Sequence, residues 1–254
     1  GIKVQNLRFA YSRTIARPVF REKSPFRGFD FETLEVLKGN PLLDGTKVDN
    51  FDVRYEHYPA LGEMLSASLF FKRFTDPIEQ TSVLEAVNTE YTWANVPYAN
   101  VIGLELEGKR NLSALHARLA AFTLSANLTL IRSRAVIFEE ELNVIRNTDP
   151  MHGRTRPLFG QAPFIFNAIL NFTPDSSAFN ATLAFNVQGE KLILTTTGGL
   201  PDIYQQPTPQ LDFTANYRFA EHFAIGFRGR NLLNPENRKT YQFNEVEYNW
   251  LAFT

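Results

Sequence analysis

At 254 residues the chain has room for one large domain or two, and its 26 basic against 27 acidic residues leave a formal net charge of -1. That balance, without any basic run, excludes the electrostatic footprint of a nucleic-acid binder. The absence of cysteine removes disulfides, thiolate metal sites and a cysteine nucleophile, and no run of about 18 apolar residues exists to form a transmembrane helix.

The dominant pattern has a period of two. In residues 6–12, Leu7, Phe9 and Tyr11 alternate with Arg8, Ala10 and Ser12. In 50–58, Phe51, Val53 and Tyr55 alternate with Asp52, Arg54 and Glu56. Residues 65–72 and 102–107 continue it, the latter with Ile102, Leu104 and Leu106 against Gly103, Glu105 and Glu107. Leu112, Leu115, Leu119 and Phe122 also fit a helical stripe, but the longer alternation over 122–130 predicts strand. Further strands are predicted at 164–172, 179–188, 211–219 and 223–228. Most of the nine are long enough to cross a bilayer at a tilt, which takes about 9–11 residues, whereas soluble strands average about 5–6. A barrel strand shows lipid only at every second residue, so a hydrophobic content of 44% with 23 Phe is compatible with a membrane.

The connections alternate in length. Those at 59–62, 111–115, 174–177 and 220–222 read as tight turns, and those at 14–45, 75–95, 135–160, 189–207 and beyond 234 as long polar loops. Short turns on one side and long loops on the other are the wiring of an outer-membrane barrel, with the loops outside the cell. Residues 240–254 are rich in aromatics without clean alternation and do not read as a closing strand. The expected fold is all-β: part of an antiparallel up-and-down transmembrane β-barrel, with about nine or ten strands.

Several segments in order resemble the C-terminal half of TonB-dependent outer-membrane receptors. They are Ser12-Arg13-Thr14-Ile15-Ala16-Arg17-Pro18 with Phe20-Arg21-Glu22, Gly39-Asn40-Pro41-Leu42-Leu43, Val48-Asp49-Asn50-Phe51, Asp76-Pro77-Ile78, Asn95-Val96-Pro97-Tyr98-Ala99-Asn100, Gly160-Gln161-Ala162-Pro163 and Asn231-Leu232-Leu233-Asn234. The resemblance implies that residues 1–254 are the C-terminal part of one 22-stranded-type barrel domain. Its plug, and the TonB box that engages the energising complex, would lie outside this chain, which is expected to be a fragment. It further implies a receptor, not an enzyme, in the bacterial outer membrane. Its partners would be outer-membrane lipid, TonB through that plug, and an extracellular nutrient of the siderophore, haem, cobalamin or glycan class. A passive porin or adhesin barrel, and a soluble β-sandwich carbohydrate-binding module, are the alternatives.

Candidate ligand contacts are rim aromatics and arginines: Tyr91, Trp93 and Tyr204, with Arg132 and Arg134 taken as pointing inward. Such groups capture chelates or sugars by stacking and paired N–H donors, although Tyr and Trp equally belong to interfacial girdles. Glu105 and Glu107 share a strand face at a spacing of roughly 7 Å, and a polar lumen wall accounts for them better than a glycosidase pair. His57, His116, His152 and His222 have no metal-ligand spacing, and no cofactor is expected. The acceptor triplets at Asn111, Asn127, Asn171 and Asn180 read as chance. Glu139-Glu140-Glu141 reads as a solvated face, and Gly198-Gly199 as a loop tip.

Overall fold

The computed structural model describes residues 4–30, 35–83, 90–174, 178–196, 201–220, 222–243 and 246–253. Nine long strands form one wall: β1 Val4–Ala16, β2 Thr46–Tyr58, β3 Met64–Thr75, β4 Tyr98–Asn111, β5 Phe122–Val136, β6 Phe164–Phe172, β7 Phe179–Gln188, β8 Gln210–Ala220 and β9 Phe223–Gly229. Each pairs antiparallel with its sequence neighbour, so the wall is a meander whose ends, β1 and β9, do not pair with each other. All nine contain the segments predicted from alternation. The shared cause is that one face of each strand is apolar and the other polar.

Residues in direct register share a face, which fixes the chemistry of each side of the wall. One row on the apolar face runs Tyr11, Phe51, Phe71, Ile102 and Arg132. A second runs Phe122, Phe172, Ala181, Ala215 and Phe227. Aromatic pairs mark both: Tyr11–Phe51 at 4.9 Å in the first, Phe122–Phe172 at 4.8 Å in the second, and Phe172–Phe179 at 6.1 Å just below it. On β5 the two rows are ten residues apart, from Phe122 to Arg132. At a rise of about 3.3 Å per residue and a tilt near 40°, the band between them is roughly 25 Å tall, the apolar height of a membrane barrel. Its residues are exposed: Phe9 is 73% accessible, Leu7 60% and Phe227 62%. A monomer in water rarely shows so large an apolar patch.

Among the short connections, one differs from the sequence expectation. The turn expected at 111–115 is longer: Leu112–Ala114 and Ala117–Leu119 form two 3-10 turns before β5 starts at Phe122. The helical stripe there forms only two single turns: the side chain of Asn111 accepts from the Ser113 N–H to start the first, and that of His116 accepts from the Arg118 N–H to start the second. At the tight turn after β2, Gly62 takes φ +79, a conformation open chiefly to glycine. Residues 175–177 and Glu221, in two of the other short turns, lie outside the described residues, as does Gly198-Gly199.

In their described residues the long loops carry further strands. They build a second layer of two four-stranded sheets. One comprises Arg27–Asp30, Glu35–Lys38, Glu90–Asn95 and Ile78–Val83, with a parallel pairing of Val36 and Leu37 to Glu90 and Tyr91. The other comprises Lys191–Leu194, Ile203–Gln205, Asn237–Phe243 and Val246–Phe253. The tail, which does not read as a closing strand, carries two strands that belong to this loop sheet and do not extend the wall. Thr195 links the sheets, donating to the Gln80 carbonyl from its backbone N–H at 3.3 Å and its hydroxyl at 2.9 Å.

Candidate functional site

The rim where wall and loops meet is tied by polar side chains. Asn95 Nδ2 donates to the Asp76 carbonyl at 2.7 Å and the Asp44 carbonyl at 3.1 Å, while its Oδ1 accepts from the Asp44 N–H at 2.8 Å. One amide thus holds three chain crossings together, and Asp76, at φ 55, turns the chain out of β3. Asn40 Nδ2 donates to the Trp93 carbonyl at 3.0 Å. At the far end, the Asn231 N–H donates to Asp212 Oδ1 at 2.8 Å, and Asn231 and Asn234 take φ 50 and 42. The segments that carried the family resemblance are largely these joints.

The polar face lies under the loop layer. Arg54 on β2 bridges Glu56 and Glu107, both at 2.8 Å, and Arg8 meets Glu56 from β1 at 3.1 Å. Glu107 is thus engaged by a guanidinium. Towards β8 an amide ladder continues: Asn167 donates to Asn127 at 2.7 Å, Asn186 donates to Asn167, and Asn216 donates to Asn180 at 3.1 Å. The strand-borne triplets at Asn127 and Asn180 are therefore occupied by structural bonds.

Above this face sits a buried ionic cluster that sequence reading missed. Arg156, with 6% of its side chain exposed, reaches Glu79 at 3.0 Å, Glu141 at 2.6 Å and Asp202 at 3.9 Å. Burial opposes its charge, but Asp202, Glu79 and Glu141 outweigh that and hold its pKa above the ordinary arginine value. Glu141 belongs to Glu139-Glu140-Glu141, which occupies the first turn of a helix, Glu139–Thr148, where the macrodipole favours carboxylates. So one residue of the expected solvated run is an ion-pair partner. No signal in one strand's periodicity could link Glu79 to Arg156, 77 residues away.

Burial pushes the Asp202 carboxyl up to about 6 from its ordinary 3.8, against the opposing pull of Arg156 and a Thr196 N–H bond. A folded pKa above the unfolded one means that protonation favours the folded loops. That contribution is complete below about pH 3.8 and lost as pH rises through about 6, and is worth at most about 3 kcal/mol. Hydrogen exchange in Lys191–Leu194 and Ile203–Gln205 should accordingly slow between pH 7 and pH 5 after correction for intrinsic rates. Asp202→Asn, which keeps the acceptor for Thr196, should abolish the difference.

The five expected ligand contacts do not converge. Tyr91 is 7% exposed in a core with Leu37, Leu194 and Ile203. Tyr204 is largely buried, and its pKa is raised by burial and by Asp202 and Glu190. Arg132 and Arg134 are a correction: Arg132 pairs with Ile102, and Arg134 with Asn100, so both lie on the apolar face and not inward. The parity of Leu124, Ala126, Leu128 and Leu130 already dictates this. Trp93 lines a cleft of about 250 Å³ with Phe20, Arg21, Phe26, Arg27 and Phe29. Phe20 and Phe26 are 87% and 78% exposed, and Arg27 is held by Glu90 at 3.0 Å. The signal for it was available as a repeat, Phe20-Arg21 and Phe26-Arg27, six residues apart. A hollow of about 660 Å³ bordered by Leu65, Leu106, Leu124 and Phe166 opens on the apolar face and belongs to the lipid-facing surface. Among the described residues no cluster of three or more His, Asp or Glu side chains is placed to hold a metal.

Comparison with known proteins adds the following. The family model for TonB dependent receptor-like β-barrels matches residues 3–232. No curated protein matches the chain. Among solved structures, a ferric enterobactin receptor (PfeA) mutant from Pseudomonas aeruginosa superposes with a TM-score of 0.56 at 16% identity, over 91% of this chain and 33% of that one. The copper transporter OprC gives 0.62 at 14% identity over 92% and 32%. The siderophore receptor PirA from Acinetobacter baumannii gives 0.57 at 12% over 91% and 35%. At these identities the likeness is one of fold. The chain spans about a third of each of these structures.

Proposed function

Because this chain belongs to the TonB dependent receptor-like β-barrel family, we propose that it forms the C-terminal wall of a bacterial outer-membrane receptor that captures a large, scarce nutrient at its loop layer and passes it inward by a TonB-driven step. Members of this family are transporters and receptors, among them siderophore and copper transporters. The observation that supports the reading most is the pairing of a band of membrane height on one face with a hydrogen-bonded polar wall, capped by ordered loops, on the other. A soluble sandwich would bury those Phe-rich faces against a second sheet.

The Trp93 cleft supports one nutrient class over the others. Phenyl and indole faces beside the guanidinium groups of Arg21 and Arg27 suit an anionic chelate built from separate aromatic donor rings, one of which stacks in the cleft while its oxygens accept from an arginine. Among the classes considered, a siderophore fits best. A mutant of the ferric enterobactin receptor from Pseudomonas aeruginosa, similar in fold, has been solved in complex with enterobactin. Calorimetric titration of the detergent-solubilised receptor with ferric enterobactin, haemin and cobalamin tests it. The ferric catecholate is expected to bind tightest, with Trp93→Ala weakening it about tenfold through one lost stacking contact. Equal or stronger binding of cobalamin, or no effect of Trp93→Ala, would refute the assignment of this cleft.

A further inference from the structure

The corrected placement of Arg132 and Arg134 gives the apolar face a chemistry of its own at its upper edge. Just above the aromatic row of Tyr11, Phe51 and Phe71, the next row reads Arg13, Asp49, Arg73, Asn100 and Arg134. Arg13 is neutralised by Asp49 at 3.1 Å. Arg73, Arg132 and Arg134 are exposed and, among the described residues, have no ion pair or side-chain hydrogen bond. Lys47, one row higher on the same face, is likewise exposed. Arg132 and Arg134 stand about 7 Å apart along β5, and Arg73 and Arg134 flank Asn100 at roughly 10 Å, two strand spacings. At the opposite edge, among the described residues, the apolar face carries Arg110, which is paired with Glu63 at 3.5 Å, and, on the strands β8 and β9, the stacked rings of Phe219 and Phe223.

A cation set at the border of hydrocarbon, on the loop side, matches an anion fixed at that depth in that leaflet. Guanidinium groups recognise phosphate by charge-assisted paired hydrogen bonds, strengthened where water is partly excluded. We infer that Arg73, Arg132 and Arg134 form a binding site on the outer wall for the phosphate groups of the outer-leaflet glycolipid. The inference rests on the membrane reading above but not on the nutrient assigned to the Trp93 cleft. Lipid held there would fix the depth of β3 to β5 in the membrane, with the arginines gripping phosphate while Phe71, Ile102 and Leu130 meet the acyl chains.

The test uses the receptor extracted from its own outer membrane in mild detergent, with binding read by native mass spectrometry. Three probes are added: bis-phosphorylated lipid A, the same lipid dephosphorylated, and inorganic phosphate. The expected result is retention of the phosphorylated lipid alone. Each Arg→Gln change should weaken it about fivefold and the triple variant about a hundredfold, the scale of one basic residue at a charged membrane surface. R132Q with R134Q alone should lose about 25-fold, and R132K with R134K, which keeps both charges, should stay within about fivefold of the parent. Equal retention of the dephosphorylated lipid, competition by inorganic phosphate at equal concentration, or an unaffected triple variant would overturn the site. Those results leave the receptor reading intact, whereas native protein found outside the outer-membrane fraction would overturn that reading itself.

Discussion

Replacing Arg156 with methionine is expected to loosen the loop layer by about 3–5 kcal/mol, the usual consequence of leaving buried carboxylates without their cation. Glu79 has 1% and Glu141 9% of its side chain exposed, so water cannot take the place of the guanidinium. The three carboxylates come from three different loops, so the loss should spread: exchange should rise together in Ile78–Val83, Glu139–Thr148 and Ile203–Gln205. The wall strands should be unaffected, because their ladders do not depend on the cluster. Adding Glu79→Gln and Glu141→Gln to Arg156→Met should restore much of the protection, since neutral partners remove the cost of isolated charges. Opening confined to Glu139–Thr148 alone would mean the cluster is not a shared tie.

The second large effect is expected in the wall. Leu128 sits near the middle of the apolar band between Leu106 and Phe166. Leu128→Arg should destabilise folding into lipid vesicles by about 2–4 kcal/mol, the cost of a cation at the bilayer midplane of a barrel. The adjacent Thr129 points to the polar face opposite Glu105. Thr129→Arg should cost less than about 1 kcal/mol, because its charge remains in an aqueous interior beside a carboxylate. Equal penalties at the two positions would remove the distinction between the faces.

The wall was legible in the sequence because its signal is local. Every wall strand carries its own alternation, and the short and long connections repeat in order. The same parity also contained the answer for Arg132 and Arg134. Their charge argues for the lumen, whereas the even positions from Leu124 onward all point to lipid. At the edge of the band a charged residue on the lipid side meets headgroups, so polarity no longer reports orientation there.

The loop layer was not legible for a different reason. Its strands are short, and its key contacts join residues far apart in sequence, as in the parallel pairing of Val36 to Glu90 or the bond from Arg156 to Glu79. No periodicity announces such pairs. Tyr91 shows the effect: an aromatic in a polar loop suggested a ligand contact, yet it completes a small core formed by Leu37, Leu194 and Ile203 from three other strands. Trp93, two residues on along the same strand, packs partly against that core and also lines the cleft, where one more aromatic can be shared with a bound molecule.

Because these 254 residues contain no cysteine, single cysteines from Phe122 to Val136, each carrying a spin label, would report on one site at a time in receptor reconstituted into lipid. Oxygen dissolved in the bilayer should relax labels at the even positions from Phe122 to Leu130. A water-soluble nickel chelate should relax those at the odd positions, with the crossover to water on the even face at Arg132. Labels at both parities shielded from oxygen alike, with no alternation along β5, would contradict a lipid-facing wall and the receptor assignment built on it.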